Sequence, residues 1–148
     1  MRLKIEQHHV WQAYKHVRMN KGTYGVDEQD WEQFDRKRYH NLYIIWNRLS
    51  SGAYFPKPVR QVMIPKSVGG QRPLGIPAVS DRIAQEVLRQ ILEPYLEPHF
   101  HTNSYAYRKG KNAHQAIDEC RYRTDYYSWC VDVDIIRLRR TTAYRMIS

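Results

Sequence analysis

Five of the seven prolines in this 148-residue chain fall between positions 56 and 77. Proline fixes φ, removes a backbone donor and pushes the residue before it toward extended conformation. A helix does not cross such an interval, so helical sections must lie on either side of an extended one. Tyr54 to Pro58 is therefore expected to be extended. Val59 to Lys66 and Gln71 to Ile76 are β-prone, and Ser67 to Gly70 is turn-forming, which predicts a hairpin. Pro65, Pro73 and Pro77 keep that hairpin from being the centre of a larger sheet.

Helical spacing accounts for most of the rest. Val10, Trp11, Tyr14 and Val17 predict a helix over 5–20, stopped near Gly22. Asn20 to Gly25 reads as a loop. Asp27 is placed to cap a second helix, in which Trp31, Phe34, Leu42, Ile45 and Leu49 form one apolar stripe and Gly52 ends the run. Ser80 is placed to cap a third helix carrying Ile83, Val87, Leu88 and Ile91, with Pro94 and Pro98 breaking the chain beyond it. Ala113, Ala116, Ile117 and Cys120 mark a fourth. From Trp129 to Ile135 the pattern changes to strict alternation. Trp129, Val131, Val133 and Ile135 share one face of a predicted strand, and Cys130, Asp132 and Asp134 share the other. The expected fold class is α+β.

Charge narrows the partner. Lys and Arg number 24 against 15 Asp and Glu, a net charge of +9. Such an excess points to an anionic partner, nucleic acid ahead of a membrane surface. Residues 136–148 form a basic tail in which Arg137, Arg139, Arg140 and Arg145 meet no acid. The longest apolar run, Leu42 to Trp46, is far short of the roughly 20 residues that span a bilayer. The opening Met1-Arg2-Leu3-Lys4 leads into polar residues, so no secretory signal is expected. Two cysteines are too few for a disulfide scaffold. A reduced, cytoplasmic setting is the expectation, with no membrane partner.

Three groups of residues could carry chemistry. Lys66 and Arg72 flank the four-residue turn, so a hairpin brings two cations together beside glycine backbone. That arrangement suits a polyphosphate or a nucleic-acid backbone, although a solvated pair of surface charges has the same spacing. Asp132 and Asp134 lie two apart on one strand face, near enough to share a hard cation, or simply to face water. Ser104 to Lys111 interleaves tyrosines with cations, as bases and phosphates require, or as a basic loop with anchoring tyrosines would. His99 and His101 lack a placed third ligand and read as structural or exposed.

The order of these blocks resembles the N-terminal part of the reverse transcriptases encoded by group II introns, the intron maturases. Gly22-Thr23-Tyr24-Gly25-Val26-Asp27 is similar to the family's opening loop. Gly52-Ala53-Tyr54-Phe55-Pro56-Lys57-Pro58-Val59-Arg60 and Ile64-Pro65-Lys66 resemble the next motif. Arg72-Pro73-Leu74-Gly75-Ile76-Pro77 followed by Asp81-Arg82-Ile83-Ala84-Gln85 is the most specific stretch. Leu92-Glu93-Pro94, Glu97-Pro98 and Phe100 follow in order, then Ser104 to His114. Val131-Asp132-Val133-Asp134-Ile135 resembles the start of the first catalytic motif. The likeness runs from about residue 10 to residue 135.

The resemblance implies a division into an N-terminal helix (1–21), a fingers region (22–126), the first palm strand (127–135) and a divergent tail (136–148). It implies that Lys66 and Arg72 engage the incoming nucleotide. It implies that Asp134 is the first catalytic, metal-binding aspartate and that Ile135 offers its carbonyl to the same metal, Mg²⁺ in the family. Arg108 and Lys111 would lie along the template, and Gly25 belongs to a loop that encloses template and primer. The implied partners are RNA, as intron and template, and a DNA primer. Ala106, Tyr107 and Lys109 depart from the family's usual Gly, Phe and Pro. After Ile135 the family pattern is lost: Arg139 stands where a bulky residue should screen the 2′-hydroxyl, and Tyr-Ala-Asp-Asp occurs nowhere. The expectation is a truncated RNA-directed DNA polymerase, a nucleotidyltransferase fragment that binds RNA and nucleotide weakly, holds Mg²⁺ without stability and does not polymerise alone. Its uncovered palm strand invites self-association. A stand-alone RNA-binding module, and a structural subunit whose palm is completed by another chain, are the competing expectations.

Overall fold

The structure, a computed structural model, describes residues 4–67 and 69–133. The helices are α1 (Gln7–Met19), α2 (Trp31–Arg36), α3 (Arg38–Ser51), α4 (Val79–Leu96) and α5 (Ala113–Thr124), with a 3-10 turn at Glu97–His99. Strands β1 (Arg60–Pro65) and β2 (Gln71–Ile76) form one antiparallel pair. The chain forms two compact units, one ending at His99 and one beginning at Phe100. The α+β expectation holds.

The first unit is built on aromatic packing. Val10, Ala13 and Tyr14 of α1 meet Trp31 and Phe34 of α2, Leu42 and Ile45 of α3, and Val79, Ile83, Ala84 and Val87 of α4. The Tyr14 and Phe34 rings stack with centroids 6.1 Å apart, and Trp31 meets Phe34 edge-on at the same separation. Offset and edge-on pairs of this kind add to what area burial alone supplies. Tyr14 keeps its polar end satisfied by donating to Asp35 Oδ1 at 2.7 Å, and Arg18 Nε donates to Asp35 Oδ2 at 3.0 Å.

Several boundaries differ from the sequence expectation, each for a local reason. The single second helix is two. Asp30, not Asp27, caps α2: its carboxylate accepts from Gln33 N, and the Gln33 side chain accepts from Asp30 N. Asp27 instead pairs with Lys57, Nζ to Oδ2 at 2.8 Å. The chain leaves helical geometry at Lys37, and Asn41 Nδ2 donates to the Phe34 carbonyl that the break exposes. Gly52 ends α3 with φ of 77°, a conformation that glycine adopts without a Cβ penalty. Ser80 lies inside α4, whose N-cap is Ala78. Pro94 also lies inside α4 and does not break it. Proline there removes a donor from the final turn only, so the helix runs two residues further.

A buried carboxylate ties α1 to α4. Glu86 accepts from Arg89 Nε and Nη2 and from Gln90 Nε2, and His16 Nδ1 of α1 lies 3.0 Å from its Oε1. Arg89 also pairs with Glu93. No α-helix among the described residues is long and apolar enough to cross a membrane.

In the second unit Asn112 caps α5 with a reciprocal bond to Gln115, and α5 contains no buried residue. Residues 127–133 carry no strand, which corrects the expectation for this described part of the predicted palm strand. A strand needs a hydrogen-bonded neighbour, and none is present among the described residues. Trp129, Val131 and Val133 are all exposed. The remainder of the predicted strand, 134–135, and the tail 136–148 lie outside the described residues.

The Glu86 cluster predicts a pH dependence. Burial pushes this carboxyl up, but the hydrogen bonds from Arg89 and Gln90 and the charges of Arg89 and His16 outweigh it, leaving its pKa below the ordinary 4.5. A lowered folded-state pKa contributes stability that is present above the unfolded value and lost as pH falls through the folded one. Urea midpoints measured from about pH 7 to about pH 3 should fall more steeply for the native chain than for Glu86→Gln. Parallel curves would show that the cluster carries no such linkage.

Candidate nucleotide and nucleic-acid interface

The hairpin register fixes where its cations point. Ile64 pairs with Arg72 and Pro65 with Gln71, and the Lys66 amide donates to the Gly70 carbonyl at 3.0 Å. Directly paired residues share a face, so Arg60, Val62, Ile64 and Lys66 lie on the same side as Gly70, Arg72, Leu74 and Ile76. Lys66 and Arg72 occupy a diagonal on that side, a relationship that places Cβ atoms about 7–8 Å apart or less. Both side chains are exposed, and neither has a hydrogen-bond or ion-pair partner among the described residues. Behind them Val62, Ile64 and Ile76 are half-buried. The structure thus brings together the two cations that the sequence paired, at the tip end of a face with an apolar floor.

The base of the hairpin is clamped from α4. Asp81, in the first turn, is 2% exposed, and its carboxylate accepts from Tyr54 Oη at 2.7 Å and from the Lys57 amide at 3.1 Å. Burial first, and the Asp81 carboxylate second, push the Tyr54 hydroxyl far above the ordinary phenol range, so it stays a donor. The next residue, Arg82, turns to the opening loop. Its Nη2 donates to the Thr23 carbonyl at 2.5 Å and its Nη1 to the Lys21 carbonyl at 3.4 Å, and its guanidinium lies 5.6 Å from the Trp31 ring centroid. Trp31 Nε1 donates to the same Lys21 carbonyl. Arg60 at the start of β1 completes the join by donating to Thr23 Oγ1 and lying 4.3 Å from the Tyr24 ring centroid.

Gly25 sits where this loop presses on the start of α4. A Cβ at Gly25 would stand 2.6 Å from both N and Cα of Ala78. Its absence of a side chain is therefore what lets the loop backbone seat there. The structure gives Gly25 this packing role beside the nucleic-acid role that the resemblance implies.

In the second unit, Arg108 and Lys111 hold their own loop. Arg108 Nη1 donates to the carbonyls of His101 and Ser104, and the guanidinium lies over Phe100. Lys111 Nζ donates to the Thr102 carbonyl and lies 4.8 Å from the Tyr105 ring centroid. Tyr107, between them, is fully exposed with φ of 58°. His101 Nδ1 accepts from the Asn103 amide.

Asp134 and Ile135 lie outside the described residues. Among the described residues no three His, Cys, Asp or Glu side chains gather as a metal site would require, so the Mg²⁺ expectation rests on the resemblance alone. Asp81, Arg82, Tyr54 and Arg60 stand in blocks that carry the resemblance, but sequence reasoning gave them no role. Their signal was present: an acid and a base side by side in the first turn of an otherwise apolar-faced helix.

No family model matches the chain. Among known proteins it is 34% identical to protein YkfC of Escherichia coli K12, over 99% of this chain and 40% of that protein. It is 32% identical to the group II intron-encoded protein LtrA of Lactococcus lactis, over 83% of this chain and 20% of LtrA. It is 36% identical to the putative COX1/OXI3 intron 1 protein of Saccharomyces cerevisiae, over 68% of this chain and 12% of that protein. The chain thus spans well under half the length of these relatives.

The seat of Gly25 generates a test. Gly25→Ala forces a methyl into the Ala78 backbone and should destabilise the first unit by about 1–3 kcal/mol, the usual cost of overpacking. Denaturant titration followed by tryptophan fluorescence measures it, and an unchanged midpoint would remove the close-packing role.

Proposed function

We infer the function from one premise, that the chain belongs to the group II intron-encoded maturase and reverse transcriptase family: it supplies a fingers region that binds RNA template, DNA primer and incoming nucleotide. The observation that supports this most is the pair Lys66 and Arg72, exposed on one hairpin face and without a hydrogen-bond or ion-pair partner among the described residues. A triphosphate carries dense negative charge, and a guanidinium offers it a two-pronged donor where an ammonium offers a mobile point charge. Contacts of Tyr54 and Lys57 with Asp81, of Lys57 with Asp27 and of Arg60 with Thr23 hold the base of the hairpin, so the two cations project from an ordered support. At the base of the same hairpin, the exposed Tyr24 ring and Arg60 add a stacking surface and a phosphate partner of the type single strands use.

Asp134 and Ile135 are the residues proposed to hold Mg²⁺, which when bound activates the primer hydroxyl and steadies the leaving phosphates. Such chemistry needs carboxylates from separate strands, and these 148 residues contain no Tyr-Ala-Asp-Asp. The 148-residue chain by itself is therefore proposed to bind without polymerising. Intron RNA is the proposed natural partner, in keeping with the names its relatives carry.

Two measurements decide this. Deoxynucleoside triphosphate binding, read by calorimetry, should weaken about tenfold or more in Lys66→Ala and again in Arg72→Ala, since charged hydrogen bonds are worth about 1.5–3 kcal/mol. Both positions are exposed, so thermal midpoints should stay put. Equal affinity in native and variant chains would reject the nucleotide role and leave a plain RNA-binding module. Primer extension with Mg²⁺ should give no product; robust extension, abolished by Asp134→Ala, would overturn the inactivity of the isolated chain.

A further inference from the structure

Away from the hairpin, α1 and α3 enclose an open groove of about 310 Å³ that the nucleotide role does not use. Gln7 and Trp11 line one wall, and Tyr39, Leu42, Tyr43 and Trp46 line the other. Tyr39 and Tyr43 are 72% and 52% exposed, on successive turns of α3. Large aromatic side chains left in water at helical spacing need a reason beyond the core, into which α3 sends Leu42 and Ile45. The Trp11 and Tyr39 rings are almost parallel, 5° apart, with centroids 6.1 Å apart. The Arg38 guanidinium rests against both, 5.5 Å from the Trp11 centroid and 4.9 Å from that of Tyr39.

We propose that this groove is a stacking site for the bases of single-stranded nucleic acid, separate from the hairpin face. The inference rests on the reading that the chain binds nucleic acid, and it adds a second point of contact. Three features select this occupant. The volume is at the low end of the roughly 300–1,000 Å³ of small-ligand sites, which suits one or two flat rings and not a docked helix. Four of the seven lining residues are aromatic, with Val10 and Leu42 aliphatic and one amide, Gln7, so the groove offers π-faces and an edge partner, as sequence-tolerant base binding requires. The surrounding charge is positive: Arg38 sits on the aromatic wall, and Lys15 lies one turn beyond Trp11 on the same stripe of α1. The acid Glu6, just before α1, is already paired with Lys4 and His8. A phosphodiester backbone therefore meets cations where its bases meet rings.

The test compares Tyr39→Ala/Tyr43→Ala with the native chain, using a short labelled single strand of mixed sequence and fluorescence anisotropy. Stacking on an aromatic side chain is worth about 1–3 kcal/mol per base, so affinity should fall roughly tenfold or more. Because no charge is removed, the slope of log affinity against log salt should not change. A duplex of equal length, whose bases are already stacked, should bind native and variant chains alike. Strands of RNA and of DNA should both lose affinity, since bases of either stack on the same rings, and a DNA strand that loses none would overturn the stacking site. Unchanged single-strand affinity in the double variant, while Lys66→Ala/Arg72→Ala weakens binding, would overturn the groove and leave the hairpin reading intact. Equal losses for strand and duplex would also overturn it, as would capture of a peptide in place of nucleic acid. A native chain that binds neither strand nor duplex would overturn both readings. The Tyr39→Phe/Tyr43→Phe variant keeps the rings and should bind like the native chain, which separates loss of stacking from loss of fold.

Discussion

The buried carboxylate of Asp81 and the guanidinium of Arg82 determine how the rest of the first unit is arranged. Adjacent residues on a helix point about 100° apart, so one dipeptide in the first turn of α4 serves two segments. Asp81 takes the extended segment before β1, through the Tyr54 hydroxyl and the Lys57 amide. Arg82 takes the opening loop, through the carbonyls of Lys21 and Thr23. Neither segment has a regular secondary structure to satisfy its backbone, so these side chains supply the missing partners. Burying a carboxylate is costly unless its lone pairs are used, and here a phenol and an amide use both oxygens. Removing one partner would strand the other groups in a dry place, and this asymmetry makes the arrangement specific.

Much of this was legible in the chain, and the parts that were not share a cause. The hairpin was legible because prolines and glycines act locally: Pro65 and Pro73 sit on a two-stranded ribbon where no neighbour needs their missing donors. The apolar stripe of α4 was legible because Ile83 and Val87 repeat at the helical period. The cap of α2 was misplaced because Asp27 and Asp30 are equally good caps in isolation. The choice between them was made by Lys57, thirty residues away in sequence, which captures Asp27. The predicted strand near Trp129 failed for the same kind of reason. Alternation states which residues would share a face, but a strand also needs a neighbouring backbone.

The candidate site divides along the same line. Sequence spacing placed Lys66 and Arg72 beside one turn, and the register confirms a shared face because cross-strand pairing follows from the turn length. Sequence could not show that Gly25 is required by the backbone of Ala78, since that contact joins parts of the chain more than fifty residues apart. The resemblance singled out Gly22 to Asp27, Gly52 to Arg60 and Asp81 to Gln85 as separate blocks. In the structure they are a single joint, and their co-occurrence in one chain has a mechanical reason: each block completes hydrogen bonds that the others leave open.

The two sets of cations differ in what binding would cost. Arg108 already donates to two carbonyls, and Lys111 to one, in stabilising the loop between His101 and Asn112. To reach a phosphate with those same donors, each would have to give up bonds worth about 0.5–1.5 kcal/mol apiece and loosen the loop that positions it. The remaining donors of Lys111 and the exposed Tyr107 ring are what that loop can offer without rearrangement. Lys66 and Arg72 surrender only water. An anion arriving at the hairpin therefore gains nearly the full value of its charged contacts, and the energy of holding the hairpin in place has already been met at its base by Asp81, Arg82 and the close seat of Gly25. This difference makes the hairpin face the one that meets an anion at the lower cost and gives the second unit's loop the character of a surface kept in shape by its own charges.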